Sequence, residues 1–179
     1  MNNILIVTGS VRPNSVNKVM VEVVKKDLEA RDGVVVTIAD LGELGLPFFD
    51  APTSPASEGY VAPHENVKQW GELVSNADGV VLVAPEYNHA LSAVLKNALD
   101  WLYKEWTDKP TAFVGYGWSA GVHSHANLVA INANLKLKLG ETYTGLAFMK
   151  DINPDGSYAD EAGTRAAIKA TLDELVAAL

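Results

Sequence analysis

Five short apolar runs rich in β-branched residues alternate along the chain with stretches whose apolar residues recur every three or four positions. That alternation constrains the fold more than any other feature. The runs are "NNILIVTGS", "VVVTIADL", "DGVVLVAPEYN", "KPTAFVGYGWSAG" and "ETYTGLAFMK", and they read as strands buried between layers. A helix follows Ser15 or Asn17, either of which can cap it, with Val16, Val19, Met20 and Val23 on one side. A second runs from about His64 to Asn76 on Val67, Trp70, Leu73 and Val74. "LSAVLKNALDWLYKEW" and "HANLVAINANLKLKL" supply two more, and the last spans roughly Glu161 to Leu179 with Ile168, Leu172 and Leu175 on its stripe. Strict alternation of this kind predicts an α/β fold, a parallel sheet with helices on both faces. No period of 20–50 residues repeats, which excludes a solenoid.

The 179 residues are expected to form one domain, 1–179, with an ordinary globular balance of 48% hydrophobic and 20% charged residues. A net charge of −8 argues against a nucleic-acid partner, which needs a concentrated basic surface. No stretch approaches the roughly 18 apolar residues of a membrane span, and "MNNILIVTGS" lacks the basic start of a signal peptide. No membrane partner is expected. With no cysteine, the chain has no disulfide, thiolate metal site, iron–sulfur cluster or thiol nucleophile. Redox chemistry would therefore need a bound cofactor, and a cytoplasmic setting is expected.

Ligands of open parallel sheets bind beyond the carboxyl ends of the strands. Three of those ends carry unusual chemistry, Ser10–Asn17, Pro85–His89 and Gly117–Gly121, and they are expected to converge. The first lacks both GxxxxGK[ST] and GxGxxG, so neither ATP nor a standard dinucleotide cradle is supported. It offers the hydroxyls of Ser10 and Ser15, the Asn17 amide, the Arg12 guanidinium and the free N–H groups of a helix start. Those are donors for a phosphate, although a capped turn with a solvent-facing arginine uses the same residues. At the second end, Pro85 is expected to stop the ladder and turn the chain outward, leaving Glu86, Tyr87 and Asn88 at the edge of the sheet. They could line a flat ligand, or Asn88 could cap the next helix. At the third, Gly117 and Gly121 allow close backbone approach beside Trp118 and Ser119.

The long segment "GELGLPFFDAPTSPASEGYVAP" reads as a binding loop or lid, too apolar at Leu46, Phe48 and Phe49 for a free linker. In the helix around Leu91–Lys104, Leu95, Leu99 and Leu102 form one apolar row and Val94, Ala98 and Trp101 a second. That arc exceeds the roughly 100° needed to face a sheet. A loop or a second subunit must cover the surplus, and a homodimer through this helix is the favoured expectation. His123 and His125 would lie about 200° apart on a helix and cannot share a metal, while His64 and His89 have no ligand spacing to join them. No metal is expected. No GxSxG elbow occurs, so hydrolase chemistry has little support.

"GSVRPNSVN" resembles the GSxRxxSxN phosphate loop of the NADPH-dependent FMN reductase family, and "PEYN" followed by "LKNALDW" matches its second motif. The resemblance extends from the first strand to about Leu135 and covers quinone, azo-dye and chromate reductases. It implies a flavodoxin-like, doubly wound sheet of five parallel strands in the order 2-1-3-4-5. Ser10, Arg12, Ser15, Val16 and Asn17 would hold the FMN phosphate. Pro85, Glu86, Tyr87 and Asn88 would line the isoalloxazine ring, with Gly117, Trp118 and Ser119 at its other edge. The chain departs from the family pattern at Ala90–Ser92 and in "GWSAGVHSH". The implied activity is ping-pong transfer of a hydride from NADPH or NADH to bound FMN and on to a quinone, free flavin or similar small acceptor. No acid–base residue need be nominated, because the reaction belongs to the flavin. Homodimers or tetramers are implied as well. The competing reading is a flavodoxin-like electron carrier or redox-responsive flavin-binding protein, since a shared fold does not fix function.

Overall fold

A computed structural model describes residues 1–179. Its strands are β1 (Asn2–Thr8), β2 (Val34–Asp40), β3 (Gly79–Tyr87), β4 (Ala90–Leu91), β5 (Pro110–Gly117), β6 (Lys138–Leu139) and β7 (Thr144–Ala147). The helices are α1 (Val16–Glu29), α2 (Leu41–Leu44), α3 (Glu65–Ser75), α4 (Ala93–Asp100), α5 (Val122–Leu135) and α6 (Glu161–Ala177). The five predicted strands are β1, β2, β3, β5 and β7. They pair in parallel in the order β2-β1-β3-β5-β7, the flavodoxin-like order. Two short strands add to this frame: β6 joins β5 in parallel ahead of β7, and β4 folds back antiparallel on β3.

Alternate residues of the central strands feed opposite faces, as the period of two requires. Leu5, Val7, Val80 and Leu82 join α3, α4 and α5 in a core of 22 buried residues that includes Trp70, Trp101 and Trp106. Ile4, Ile6, Val81 and Val83 join α1 and α6 in a second core of 17. No helix is long and apolar enough to cross a membrane.

Three local expectations fail, each for a physical reason. Pro85 does not end the ladder. β3 continues to Tyr87, with Pro85 paired to Tyr116; β1 pairing stops at Val83, so Pro85 lies where the strand is bonded on one side only. Next, α4 stops at Asp100, and Trp101 and Trp106 turn inward instead of continuing the helix. Both are fully buried, with the Trp106 indole N–H donating to the Leu99 carbonyl at 3.2 Å. Finally, α5 ends at Leu135 because Lys136 adopts a left-handed conformation (φ 60°). The Asn132 side chain accepts from the Leu137 N–H at 2.6 Å, which directs Lys138–Leu139 into β6.

The long segment answers the question posed by the wide apolar arc of α4. It folds over the second row: the Trp101 indole N–H and the Asn97 amide each donate to the Pro47 carbonyl at 2.8 Å. Phe49 meets Trp101 edge-on at 4.9 Å, and His64 does so at 5.6 Å. The surplus at Trp101 is covered by the chain's own loop, so that row is no argument for a second subunit.

Candidate functional site

At the carboxyl ends of β1, β3 and β5 the three predicted loops meet around an open groove of ≈ 330 Å³, within the usual range of small-molecule sites. Arg12, Ser15 and Val16 line it from the loop and helix start after β1. Pro85, Glu86 and Tyr87 line it from the end of β3, and Gly117 and Trp118 from the end of β5. A smaller cavity of ≈ 130 Å³ lies at the other end of the sheet, around Pro110 and Lys138, away from these loops.

The first loop is held by its own polar groups. Ser15 caps α1, its hydroxyl accepting from the Asn17 N–H at 3.0 Å. Ser10 is buried beneath the surface: its hydroxyl accepts from the Arg12 N–H at 3.3 Å and lies 2.9 Å from the Tyr87 hydroxyl. Asn17 is fully buried and its amide donates to the Val83 carbonyl at 2.7 Å. That carbonyl also accepts from the Gly9 N–H at 2.8 Å, and the Ser92 hydroxyl donates to the Gly9 carbonyl at 2.6 Å. A Cβ on Gly9 would lie 2.7 Å from the Val83 oxygen, so only glycine lets the loop approach β3 this closely. Ser10 and Asn17 thus brace the loop from below and do not line the groove.

Asn88 and Ser119 also fall outside the lining. Asn88 does not cap the next helix. It forms with His89 a tight turn, φ 50° and 59°, that joins β3 to β4, the geometry of a type I′ hairpin. Ser92 caps α4 instead, accepting from the Leu95 N–H. The Ala90–Ser92 departure from the family pattern therefore makes a hairpin and a cap that reaches across to Gly9.

Electrostatically the groove suits an anion. The first turn of α1 carries no acidic residue, leaving its positive pole uncompensated. Arg12 makes no salt bridge and leans over the Tyr87 ring, 5.7 Å from its centroid. The start of α5 differs, because Glu86 reaches it and accepts from the His123 N–H at 2.9 Å. Asn14, Tyr116, Phe148 and Pro154 complete the lining and were not found from sequence. Phe148 follows β7 directly, so treating the fifth strand end like the other three would have found it. Tyr116 sits inside a strand run and carried no signal.

Tyr116 is the most informative of these. Its buried hydroxyl has no hydrogen-bond partner, nor has the carbonyl oxygen of the buried Asn17 side chain. Burial pushes the phenol pKa up to about 12; the nearby Ser15 and Asn17 side chains offset part of that rise without being aligned as partners. The group remains a protonated donor across the working pH range, and an unpaired buried hydroxyl is costly unless something binds it. Phe148 and Trp118, in edge contact at 5.5 Å, form an aromatic flank, with Trp118 75% exposed. Anion donors at one end and aromatic surface at the other fit a flavin mononucleotide.

Histidines that the sequence leaves unrelated are brought together. The His89 and His123 rings stack at 4.1 Å and 14° beside Glu86. His125 instead stacks on Tyr143 at 3.8 Å, and burial lowers its pKa.

Comparison with known proteins agrees with this geometry. A model of the NADPH-dependent FMN reductase family matches residues 2–142. An NAD(P)H-dependent FMN reductase of Schizosaccharomyces pombe is 33% identical over 148 residues, covering 83% of this chain and 74% of the relative. A quinone reductase of Escherichia coli K12 is 37% identical over 106 residues, 58% of this chain and 51% of the other. In three dimensions the fold matches the NAD(P)H:acceptor oxidoreductase FerB of Paracoccus denitrificans with a TM-score of 0.75, at 22% identity, over 99% of this chain and 98% of that one. With the motifs, the strand order and the matched length in agreement, the chain belongs to the NADPH-dependent FMN reductase family.

Proposed function

We propose that the groove is the FMN site and that the protein uses NAD(P)H to reduce a small acceptor of the quinone class. The observation that carries this is the unpartnered Tyr116 hydroxyl, buried in a groove that also holds Arg12 and the start of α1. When bound, FMN takes reducing equivalents from the nicotinamide and delivers them to the acceptor. The chain's part is to bind and orient. Arg12, the Ser15 hydroxyl and the Val16 N–H offer charge and hydrogen bonds to a phosphate, and Tyr116 donates one more. Pro85, Glu86 and Tyr87 present the polar end of β3 to a flat ring, with Asn88 holding the turn behind them. Gly117, Trp118 and Phe148 keep water from the opposite side, and Ser10, Asn17 and Ser119 support these loops. A cytoplasmic setting, where nicotinamide is available in reduced form, is part of the same proposal.

Anaerobic stopped-flow mixing of the FMN-loaded protein with NADPH tests the activity. Rapid bleaching of the flavin absorbance is expected. Full FMN loading without bleaching would leave an electron carrier, and failure to take up FMN would remove the assignment altogether.

We also propose that the protein is a homo-oligomer through the start of α4. Support comes from an apolar cleft of ≈ 300 Å³ where Val11, Leu46 and Phe48 meet Ala93 and Val94, with Phe48 82% exposed. Exposed apolar surface of this kind marks interfaces. Sedimentation is expected to show a dimer or tetramer that Phe48→Asp dissociates; a monomeric wild-type protein would refute this.

A further inference from the structure

We propose that Glu86, His89 and His123 form a binding site for a divalent transition-metal ion of the zinc type. Each offers one ligand atom, and these atoms all lie within 4.8 Å of one another. The site is separate from the chemistry proposed above, although Glu86 also faces the groove.

Two of the three groups are held by rigid elements. His123 lies in the first turn of α5, and Glu86 ends β3 with its carboxylate fixed by the His123 N–H at 2.9 Å. That bond uses one carboxylate oxygen and leaves the other free to coordinate. The third group, His89, is exposed on the two-residue hairpin turn, three positions after Glu86. In the stacked arrangement, with ring centroids 4.1 Å apart, the in-plane nitrogen lone pairs of the two rings run parallel and do not converge. A pivot of the exposed His89 ring about its broad χ2 torsion brings them together. Metal binding is therefore expected to open the stack.

The donor set decides the class of ion. Two neutral imidazoles and one carboxylate suit Zn²⁺, with water completing the tetrahedron, and also Ni²⁺ or Cu²⁺. Mg²⁺ and Ca²⁺ prefer an all-oxygen shell and should not compete. Coordination would tie the β3–β4 hairpin, which carries Tyr87 on the groove side, to the start of α5.

Calorimetric titration of the purified FMN-loaded protein with Zn²⁺ tests the site. One saturable ion per chain is expected, with affinity reduced at least ~10-fold in His89→Asn and in His123→Ala, since even losing a supporting partner of a metal ligand costs 10–100-fold. Asn tolerates the left-handed turn, so the first variant keeps the hairpin. His64→Ala, which removes a histidine paired to Asp50 at 2.8 Å, should leave the affinity unchanged. Imidazole nitrogen signals read by NMR provide a measurement independent of folding in the variants, with those of His89 and His123 expected to shift and those of His64 and His125 to stay. Equal Zn²⁺ affinity in wild type and His89→Asn, movement of the wrong pair of rings, or an equal response to Mg²⁺ would overturn the proposal.

Discussion

Trp101→Ala is expected to lower the unfolding free energy by about 3–5 kcal/mol, the usual cost of emptying a fully buried tryptophan site. The loss has two parts. Trp101 has no exposed surface, so its removal leaves a cavity in the larger core. Its indole also donates to the Pro47 carbonyl and meets Phe49 and His64 edge-on, which are principal attachments of the loop between α2 and α3. Urea denaturation should show the lower stability. Limited proteolysis should then cut near Ser54–Glu58 at a protease concentration that leaves the wild type intact. A variant with unchanged denaturation midpoint and unchanged cleavage would show that the loop is held by something other than this ring.

Arg12→Ala is expected to weaken FMN binding by about 1.5–3 kcal/mol, the worth of a hydrogen bond to a charged group, or roughly ten- to a hundredfold in Kd. Folding should be untouched, because the guanidinium is exposed and joins no salt bridge. Tyr116→Phe is the instructive companion. The hydroxyl has no partner without ligand, so its removal should leave the FMN-free protein as stable or more so while FMN binding weakens. Equilibrium titration followed by flavin fluorescence, with thermal unfolding of the ligand-free protein, separates the two quantities. Unchanged FMN affinity in both variants would mean the groove has been misassigned, and a destabilised ligand-free Tyr116→Phe would mean the hydroxyl has a partner within the fold.

The sheet was legible in the sequence because β-branched runs such as "VVVTIAD" can hardly be anything else in an alternating chain. Its finer boundaries were not. "LKLKL" suits the end of a helix or a period-two strand equally, and the Asn132 side chain that decides between them acts five residues away. Pro85 read as a terminator because sequence does not reveal that β1 has already ended beside it. Within the site, Arg12, Ser15, Tyr87 and Trp118 were readable as loop chemistry. Asn17 was noticed for its amide, but burial against Val83 follows only from the packing of β1 on β3. The pairing of His89 with His123 lies beyond any local spacing rule, because it depends on the hairpin turning back toward α5.

The brace beneath the first loop has a kinetic consequence. Gly9 and Asn17 share the Val83 oxygen while Ser92 holds Gly9 from the other side, so the donors are already in place when a phosphate arrives. Little conformational freedom remains to be surrendered on association. Capture of the ligand should thus proceed in a single phase whose rate rises linearly with concentration, without the plateau of a slow isomerisation, leaving residence time as the quantity that substitutions in this loop tune.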